Sequence, residues 1–599
     1  MLDTTPEGRV AHALAAFGEA LEKGDAAAAA AMFAEDGHWR DLVAFTWNIA
    51  TMSGPDAVRA MLRARLADVK PTGWAVDPAN GASEAGGITE GWITFETAVA
   101  RGYGHVRLRD GRIWTLLTTM AELKGHEEPT GPHRPLGAKH GAGKRRTTWK
   151  EEREAEERTL GHETQPYVLI VGGGQGGVML GARLRMLGVP ALIVERNARA
   201  GDSWRNRYKS LCLHDPVWYD HFPYLPFPPN WPVFSPKDKL GDWIESYVKL
   251  MEIPYWTATT AKKAHWDDAA KEWVVAVERD GREITLRPKQ LVMATGMSGK
   301  ANVPDIPGMA TFKGVQHHSS RHPGPDGWAG KRAVIVGSNN SAHDIAAALW
   351  ENDVDVTMVQ RSSTHIVRSD TLMDIGLGAL YSEQAVANGI DHHKADLIFA
   401  SLPYAILADI QKPLYAQMKE RDAAFYEGLE KAGFWLDWGD DDSGLFMKYL
   451  RRGSGYYIDI GASQLIIDGK VKLKRGQVTE VVADGLVLDT GEHVPADLIV
   501  WATGYGSMNG WVADLIDQAT ADRVGKVWGL GSGTTKDPGP WEGEQRNMWK
   551  PTQVEALWFH GGNLHQSRHY SQFLALQLKA RQVGLATPVF GRQPVHHLR

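Results

Sequence analysis

The feature that most constrains the fold is a glycine-rich turn that follows an apolar strand near residue 167. The strand YVLIVG runs into GGGQGG, which carries the spacing G-x-G-x-x-G at Gly172, Gly174 and Gly177. A helical stretch and the strand ALIVE come next, and this strand ends at Glu195, 23 residues after Gly172. Such glycines let the N–H groups at a helix start approach a pyrophosphate, while the acid accepts hydrogen bonds from ribose hydroxyls. The sequence therefore predicts a dinucleotide site here.

The same pattern recurs at residues 332–363, where Gly337 takes the role of Gly172. Asn339 and Ala342 replace the second and third glycines, so this turn departs from the full pattern. The neutral Gln360 stands where an acid would repel a 2'-phosphate, and a basic residue follows it. We predict NADPH at this second turn, with NADH also possible. The expected contacts are Gly337, Ser338, Asn339, Ser341, Arg361 and Ser362.

Two further apolar strands each end in the tripeptide A-T-G, at Thr295 and Thr503. Threonine and glycine permit a tight turn beside a cofactor or a crossing strand. One such turn follows each nucleotide unit, which is the layout of a flavoprotein whose FAD domain is interrupted by an NAD(P)H domain. The predicted fold class is therefore α/β, with two nested Rossmann-like domains for FAD and NAD(P)H.

The residues before the first glycine turn are of a different kind. Residues 8–121 combine helical spacing with alternating strands, an α+β pattern that resembles the cone-shaped domain of the nuclear transport factor 2 and polyketide cyclase (SnoaL-like) superfamily. A Gly-, Pro- and charge-rich stretch follows. We predict these domains: 1–125, the cone; 126–165, a linker; 166–330, FAD-binding, first part; 331–485, NAD(P)H-binding with a helical insertion; 486–599, FAD-binding, second part.

Two roles are open for the N-terminal domain. Its FAEDGHWRDL segment places His38, Trp39, Arg40 and Asp41 where they would line a cone pocket. The alternative is a non-catalytic domain for packing or dimerisation, and we favour it. Because cone-shaped domains often pair, we expect a homodimer.

The segment TFKGVQHHSSRHP at 311–323 carries the most telling family resemblance. It is similar to the F-x-G-x-x-x-H-x-x-x-[YW] motif of class B flavin-dependent monooxygenases through Phe312, Gly314 and His318, with His322 where an aromatic is usual. That variant, with an additional N-terminal domain, resembles the type II flavin-containing monooxygenases, a group that includes Baeyer-Villiger enzymes.

Other segments carry the same resemblance. GDSWRNRY, from Gly201, resembles a segment in which Trp204 covers the flavin, and SLCLHDP resembles a plant-enzyme segment that puts His214 near the flavin edge. The closing stretch 557–581 resembles the last turn and helix that contact FAD. The resemblance implies His214, His318 and Asn340 as catalytic residues. The FAD contacts are expected at Gly172, Gly174, Gly177, Glu195, Arg196, Gly201, Trp204, Thr295, Thr503, Asn563 and Leu564.

This resemblance implies a reaction of NAD(P)H and O2 with a small organic substrate. Hydride passes to FAD, oxygen adds at flavin C4a, and the peroxyflavin transfers one oxygen atom. The leading expectation is Baeyer-Villiger oxidation of ketones, sulfoxidation, or both. The alternatives are an indole-3-pyruvate-type decarboxylating monooxygenase and a nucleotide-binding flavoprotein without catalysis.

Charge and cysteine usage exclude several other functions. The 66 basic and 72 acidic residues give a formal charge of -6, which provides no general positive field for nucleic acid or an anionic membrane. The single cysteine, Cys212, excludes disulfide redox chemistry and a four-cysteine zinc site. We predict no metal site. The N-terminal residues lack the pattern of a secretion signal, so we expect a cytoplasmic protein.

Overall fold

The structure is a computed structural model that describes residues 4–138 and 140–595. It contains an N-terminal α+β domain followed by two α/β units, each built on a five-stranded parallel sheet. The predicted fold class is confirmed. Within the described ranges, no helix combines the length and apolar character needed to cross a bilayer.

The N-terminal domain packs helices against one curved sheet. Its strands follow the spatial order 49–53, 33–42, 112–123, 100–109, 88–96 and 72–76, with 82–85 beside 88–96. The first helix buries an apolar face of Val10, Leu14 and Phe17 against this sheet, as its helical spacing predicts. Its helices are Pro6–Glu22, Ala26–Ala31 and Gly54–Val69, and its strands are Phe33–Leu42, Ile49–Ser53, Thr72–Val76, Ala82–Ala85, Ile88–Glu96, Ala100–Arg109 and Arg112–Leu123.

The first α/β unit is built around the glycine turn at 172–177. Its parallel strands are ordered Tyr255–Trp256, Ala191–Val194, Val168–Val171, Gln290–Met293 and Leu557–Phe559. The helix that follows the turn packs on this sheet and also against the C-terminal helix. The unit's other elements are the helices Trp149–Thr159, Gln175–Met186, Asp202–Arg205, Val217–Asp220, Lys237–Leu250 and Leu564–Gln582 and the strands Cys212–Pro216, Phe234–Pro236, Thr259–Asp267, Glu272–Arg279 and Arg282–Leu286.

The second unit repeats this plan around Gly337. Its parallel strands are ordered Lys472–Arg475, Asp355–Gln360, Arg332–Val336, Leu498–Trp501 and Val315–His318. Its other strands are His365–Arg368, Tyr456–Asp459, Val478–Val482, Gly485–Leu488 and His493–Pro495. Its helices, with those of the insertion and the return segment, are Asn340–Trp350, Ser369–Thr371, Leu372–Leu377, Glu383–Ala387, His392–Ala400, Tyr404–Arg421, Ala423–Lys431, Gly444–Arg452, Ala462–Ile467, Asn509–Leu515 and Gln518–Val524.

Sheet membership places the boundaries of the second unit differently from the predicted range 331–485. The strands Val315–His318 and Leu498–Trp501 pair with each other and belong to the second sheet. The predicted range 331–485 is based on the glycine-turn repeat alone. Short strands that flank a repeat can join either sheet, and only their pairing decides which.

The N-terminal domain is fixed to the rest of the chain through Arg40, whose side chain is 1% exposed. Its guanidinium donates to both carboxylate oxygens of Glu544, at 2.7 and 2.8 Å, and to the carbonyl of Ala400 and the hydroxyl of Tyr570, each at 2.9 Å. One side chain thereby joins the N-terminal sheet, the helical insertion and the C-terminal helix.

The neighbours of Arg40 also have structural partners. His38 Nδ1 lies 2.9 Å from Ser53 Oγ, and Trp39 Nε1 donates to Thr118 at 2.8 Å. Asp41 accepts hydrogen bonds from Thr118 Oγ1 and from the backbone of 45–46. Burial raises the pKa of Asp41 to about 6. These contacts favour the packing role that we expected for this domain over a cone pocket lined by 38–41.

Candidate functional site

A cavity of about 1120 Å³ lies at the carboxyl end of the first parallel sheet and extends toward the second unit. Open α/β sheets bind ligands at this edge, where the strands end. The volume exceeds the ~300–1,000 Å³ typical of small-molecule pockets, so the cavity has room for a dinucleotide. The predicted residues that line it are Gly172, Gly174, Glu195, Arg196, Trp204, Thr295, His318 and Asn563.

The glycine turn is shaped by contacts that only glycine permits. Gly172 has φ +109°, and a Cβ there would lie 2.4 Å from the carbonyl oxygen of Ala294. A Cβ at Gly177 would lie 2.0 Å from the carbonyl oxygen of Gly172. Gly174 differs, because its φ is -74° and the nearest atom to its added Cβ is Ser203 Oγ at 3.6 Å. Gly172 and Gly177 are thus required by the fold, whereas the space at Gly174 belongs to the cavity.

Polar atoms around this cavity fit a bound dinucleotide. Thr295 Oγ1, Ser203 Oγ and Trp511 Nε1 are buried and have no hydrogen-bond partner among the described residues, and all three residues line the cavity. Helix Gln175–Met186 begins at Gly174 without a side-chain cap, so its first N–H groups are available to a phosphate. The unpaired side-chain atoms can form hydrogen bonds with FAD, and the uncapped helix start can bind its pyrophosphate.

Other residues predicted for FAD are held by the protein itself. Glu195 accepts hydrogen bonds from the N–H groups of Gly173 and Asn197, at 2.8 and 2.9 Å, and still borders the cavity. Trp204 Nε1 donates to Gln175 at 3.2 Å. Gly201 lies outside the cavity lining, because it packs on helix Lys237–Leu250.

The second glycine turn reproduces the backbone of the first. A Cβ at Gly337, where φ is +134°, would lie 2.3 Å from the carbonyl oxygen of Ala502. Each glycine thus packs on the alanine of one A-T-G turn. Asn339 has φ -99° and ψ -169°, close to the -74° and -168° of Gly174. This extended conformation suits any residue, so the asparagine does not distort the turn.

Several side chains of the second turn make structural contacts. Ser338 Oγ lies 2.7 Å from Thr364 Oγ1, and Asn340 Oδ1 accepts the N–H of Ile458 at 3.0 Å. Gln360 is fully buried and makes two hydrogen bonds to the backbone of Trp435, so it does not face the ribose position that its place in the sequence suggests. The residues Ser341, Arg361 and Ser362 are partly or fully exposed at the end of this sheet.

His318 borders the main cavity at the junction of the two units. Its Nε2 lies 3.0 Å from the carbonyl oxygen of Gly504, and its Nδ1 lies 2.9 Å from Ser320 Oγ. Burial lowers the pKa of His318. A neutral His318 therefore ties the motif segment to the second A-T-G turn, where Thr503 donates to the carbonyl of Asn302.

His214 and Asn340 lie outside the lining of this cavity, and the ring of His214 packs on Tyr457, next to the lining residue Tyr456. His214 Nε2 lies 3.2 Å from Asp344 Oδ2, a contact between the two units. At the closing turn, Asn563 borders the cavity and caps the C-terminal helix through Gln566 N, whereas Leu564 is buried in the core.

Two tyrosines of the helical insertion, which no sequence motif indicated, also line this cavity. Tyr449 donates to Gln566 at 2.7 Å and accepts the N–H of Asn563 at 3.1 Å, and Tyr456 lies on the adjacent strand. Burial raises the pKa of both phenols, so they remain protonated donors. No local motif marks them, and the partners of Tyr449 at the closing turn, Asn563 and Gln566, are 114 and 117 residues away in the chain.

Comparison with protein families agrees with this arrangement. Residues 169–402 match the family "Pyridine nucleotide-disulphide oxidoreductase", and residues 14–116 match the SnoaL-like domain. Since the chain has one cysteine, a cysteine-pair disulphide chemistry is excluded here. The matches confirm the resemblance of the N-terminal domain and the nucleotide-binding character of the units behind it.

Curated relatives match the flavoprotein part of the chain. Indole-3-pyruvate monooxygenase YUCCA1 of Oryza sativa subsp. japonica is 29% identical over 364 residues, 60% of this chain and 82% of its own. The probable indole-3-pyruvate monooxygenase YUCCA4 of Arabidopsis thaliana is 27% identical, with 57% and 76% covered. A solved open structure of cyclohexanone monooxygenase aligns with 70% of this chain and 88% of its own, at 17% identity and a TM-score of 0.48. The curated relatives agree with the predicted similarity to flavin-dependent monooxygenases.

Proposed function

We propose that this chain, a relative of the flavin-dependent monooxygenases, uses FAD, NAD(P)H and O2 to insert one oxygen atom into a small organic substrate. The observation that carries the proposal is the large cavity at the first glycine turn, with its buried, unmet hydrogen-bonding atoms. Residues of the second unit's sheet, His318 and Trp501, also line it, and that unit carries a second turn of the same backbone form at Gly337. Two such turns in one body allow one nucleotide to reduce the other.

Residues of the first unit would hold FAD. The uncapped start of helix Gln175–Met186 would receive the pyrophosphate, and Glu195 has acceptor capacity left for ribose hydroxyls. Thr295, Ser203 and Trp511 would donate to the parts of the cofactor that lie beside them. When bound, the flavin accepts hydride and activates oxygen, and the protein supplies orientation and exclusion of water.

The residues near the unit junction would control polarity around the reacting centre. His318 is held neutral and fixed by the carbonyl of Gly504. Tyr449 and Tyr456 line the cavity as protonated phenols. Tyr456 can donate a hydrogen bond to a substrate, whereas the protons of His318 and Tyr449 are already donated to Gly504 and Gln566. None of the three carries a full charge that would draw water into the cavity.

The leading substrate class is ketones or organic sulfides, which would give esters, lactones or sulfoxides. The type II motif, with His322 in place of an aromatic, favours this class. The relatives named as indole-3-pyruvate monooxygenases favour a second candidate, the decarboxylation of a 2-oxo acid with an aromatic side chain.

A substrate panel separates these candidates. NADPH consumption and O2 uptake would be followed with cyclic ketones, aryl sulfides and indole-3-pyruvate, and the products identified. We expect a lactone or sulfoxide in amounts that match the NADPH consumed. Release of CO2 from indole-3-pyruvate alone would select the second candidate, and hydrogen peroxide as the sole product with every compound would contradict both.

The coenzyme preference should depend on Arg361, which is exposed at the end of the strand Asp355–Gln360. We expect R361A to raise the KM for NADPH by roughly tenfold, because a guanidinium contact to a 2'-phosphate contributes about 1.4 kcal/mol or more. The KM for NADH should change little. Steady-state kinetics with both coenzymes test this. An equal rise in the KM for NADPH and the KM for NADH would show that Arg361 does not contact the 2'-phosphate.

A further inference from the structure

A buried carboxylate, that of Asp344, joins the two nucleotide units. Asp344 lies in helix Asn340–Trp350, which starts at the second glycine turn, and its side chain is 7% exposed. Its Oδ2 accepts a hydrogen bond from Tyr208 Oη at 2.8 Å and lies 3.2 Å from His214 Nε2. Tyr208 and His214 both belong to the first unit. One oxygen atom of the second unit is therefore shared by two side chains of the first.

This contact makes the two nitrogens of His214 different. Nε2 faces the carboxylate, whereas Nδ1 is buried and has no hydrogen-bond partner in the described part of the chain. A carboxylate at one nitrogen of an imidazole fixes a proton there and sets the orientation of the ring. The ring lies edge-on to Tyr457, 6.0 Å between centroids, and the adjacent Tyr456 lines the cavity. Nδ1 is thus the nitrogen left to interact with another group.

We propose that Asp344 is a positioning residue, through which the first helix of the second unit sets the orientation and the charge of His214 behind the cavity of the first unit. This inference rests on the proposed function, since it assigns His214 a task beside a bound flavin. Tyr208 restrains the same carboxylate oxygen, so the contact has a second anchor in the first unit. The family resemblance pointed to His214 alone.

The groups around His214 determine whether its pKa lies above or below the ordinary value. Asp344 faces it from the helix, Asp215 adjoins it on its own strand, and His343 and Tyr457 pack beside it. Burial lowers the pKa of His214, but Asp344, Asp215 and the backbone of Ile458 together raise it by more, so the pKa lies above its ordinary value of 6.5. Burial lowers the pKa of His343 to about 4, which leaves that ring neutral. Below its pKa, His214 donates from both nitrogens; above it, the proton on Nε2 remains and Nδ1 becomes an acceptor.

Nitrogen NMR of the purified chain with isotope-labelled histidine tests this directly, with H214Q to assign the resonance. In the wild type we expect a pKa above 6.5 and a neutral form protonated at Nε2. D344N should lower the pKa by about 1–3 units, because it removes the nearest opposite charge. Y208F is the matched control: it removes one hydrogen bond from the same oxygen but keeps the charge, so its shift should be smaller.

Two results would overturn the inference: a wild-type His214 that titrates below 6.5, or a folded D344N with an unchanged pKa. If D344N does not fold, the wild-type titration and tautomer decide by themselves. The FAD content and the reduction of flavin by NADPH are measured on the same wild-type sample. A chain that binds no FAD would refute the proposed function, whereas the titration of His214 is read independently of it.

Discussion

Replacing Gly174 with alanine is expected to leave the fold intact and to weaken FAD binding at least about tenfold, which corresponds to about 1.4 kcal/mol. The backbone at Gly174 is extended, and the added Cβ would meet only the side chain of Ser203, with Oγ at 3.6 Å and Cβ at 4.0 Å. The methyl group therefore fits the free protein but occupies cavity space beside the helix start that would receive the pyrophosphate. Fluorescence titration of the cofactor-free chain with FAD gives the Kd, and circular dichroism gives the melting temperature.

Two other glycine variants are the controls for G174A. G172A should lower the melting temperature itself, because its Cβ would lie 2.4 Å from a carbonyl oxygen and its φ is +109°. G143A, in the linker, has no atom within 4 Å of its added Cβ and should change neither stability nor affinity. An FAD affinity of G174A equal to that of the wild type would contradict the placement of the cofactor at this turn.

E544Q is expected to weaken the attachment of the N-terminal domain by about 3–5 kcal/mol, since it leaves the Arg40 charge buried without its partner. The side chains of Arg40 and Glu544 are 1% and 2% exposed, so water does not screen the charge of Arg40 once its partner is removed. The apparent melting temperature should fall, and a protease should cut the segment between the N-terminal domain and the first unit sooner. Both changes are measured on the full chain.

Two further variants distinguish the loss of the Arg40–Glu544 ion pair from a general loss of stability. R40M/E544L should recover most of the stability, because removal of both partners leaves no unpaired charge. E122Q breaks an ion pair of the same domain whose partners, Arg101 and Glu122, are 47% and 41% exposed, and it should leave the melting temperature unchanged. A melting temperature of E544Q equal to that of the wild type would show that the pair does not hold the two parts together.

The sequence was sufficient where the determining contacts are local. The turns at Gly172 and Gly337 were predicted from spacing, and both pack on the alanine of an A-T-G turn. Their helices and the buried strands beside them follow from the same short segments. Local patterns of this kind specify a unit, because strand, turn and helix are consecutive in the chain.

The sequence was insufficient where the partners are far apart. Arg40 and Glu544 are 504 residues apart, and no sequence pattern near Arg40 predicts an acidic partner on another domain. Likewise, the strands at 315–318 and 498–501 pair with each other in the second sheet, and the predicted range 331–485 leaves both outside. The strand VQHH at 315–318 has no apolar pattern that would assign it to a sheet. The contact of Asp344 with His214 also crosses between units, and neither residue's own segment predicts it.

The central claim is that the two units hold two cofactors between which electrons pass. Its most direct test is the anaerobic addition of NADPH to the purified chain after incubation with FAD and removal of the free flavin. We predict a yellow protein whose flavin absorbance is lost on addition of NADPH and returns when air is admitted. A chain that stays colourless, or a bound flavin that NADPH does not bleach, would contradict the account.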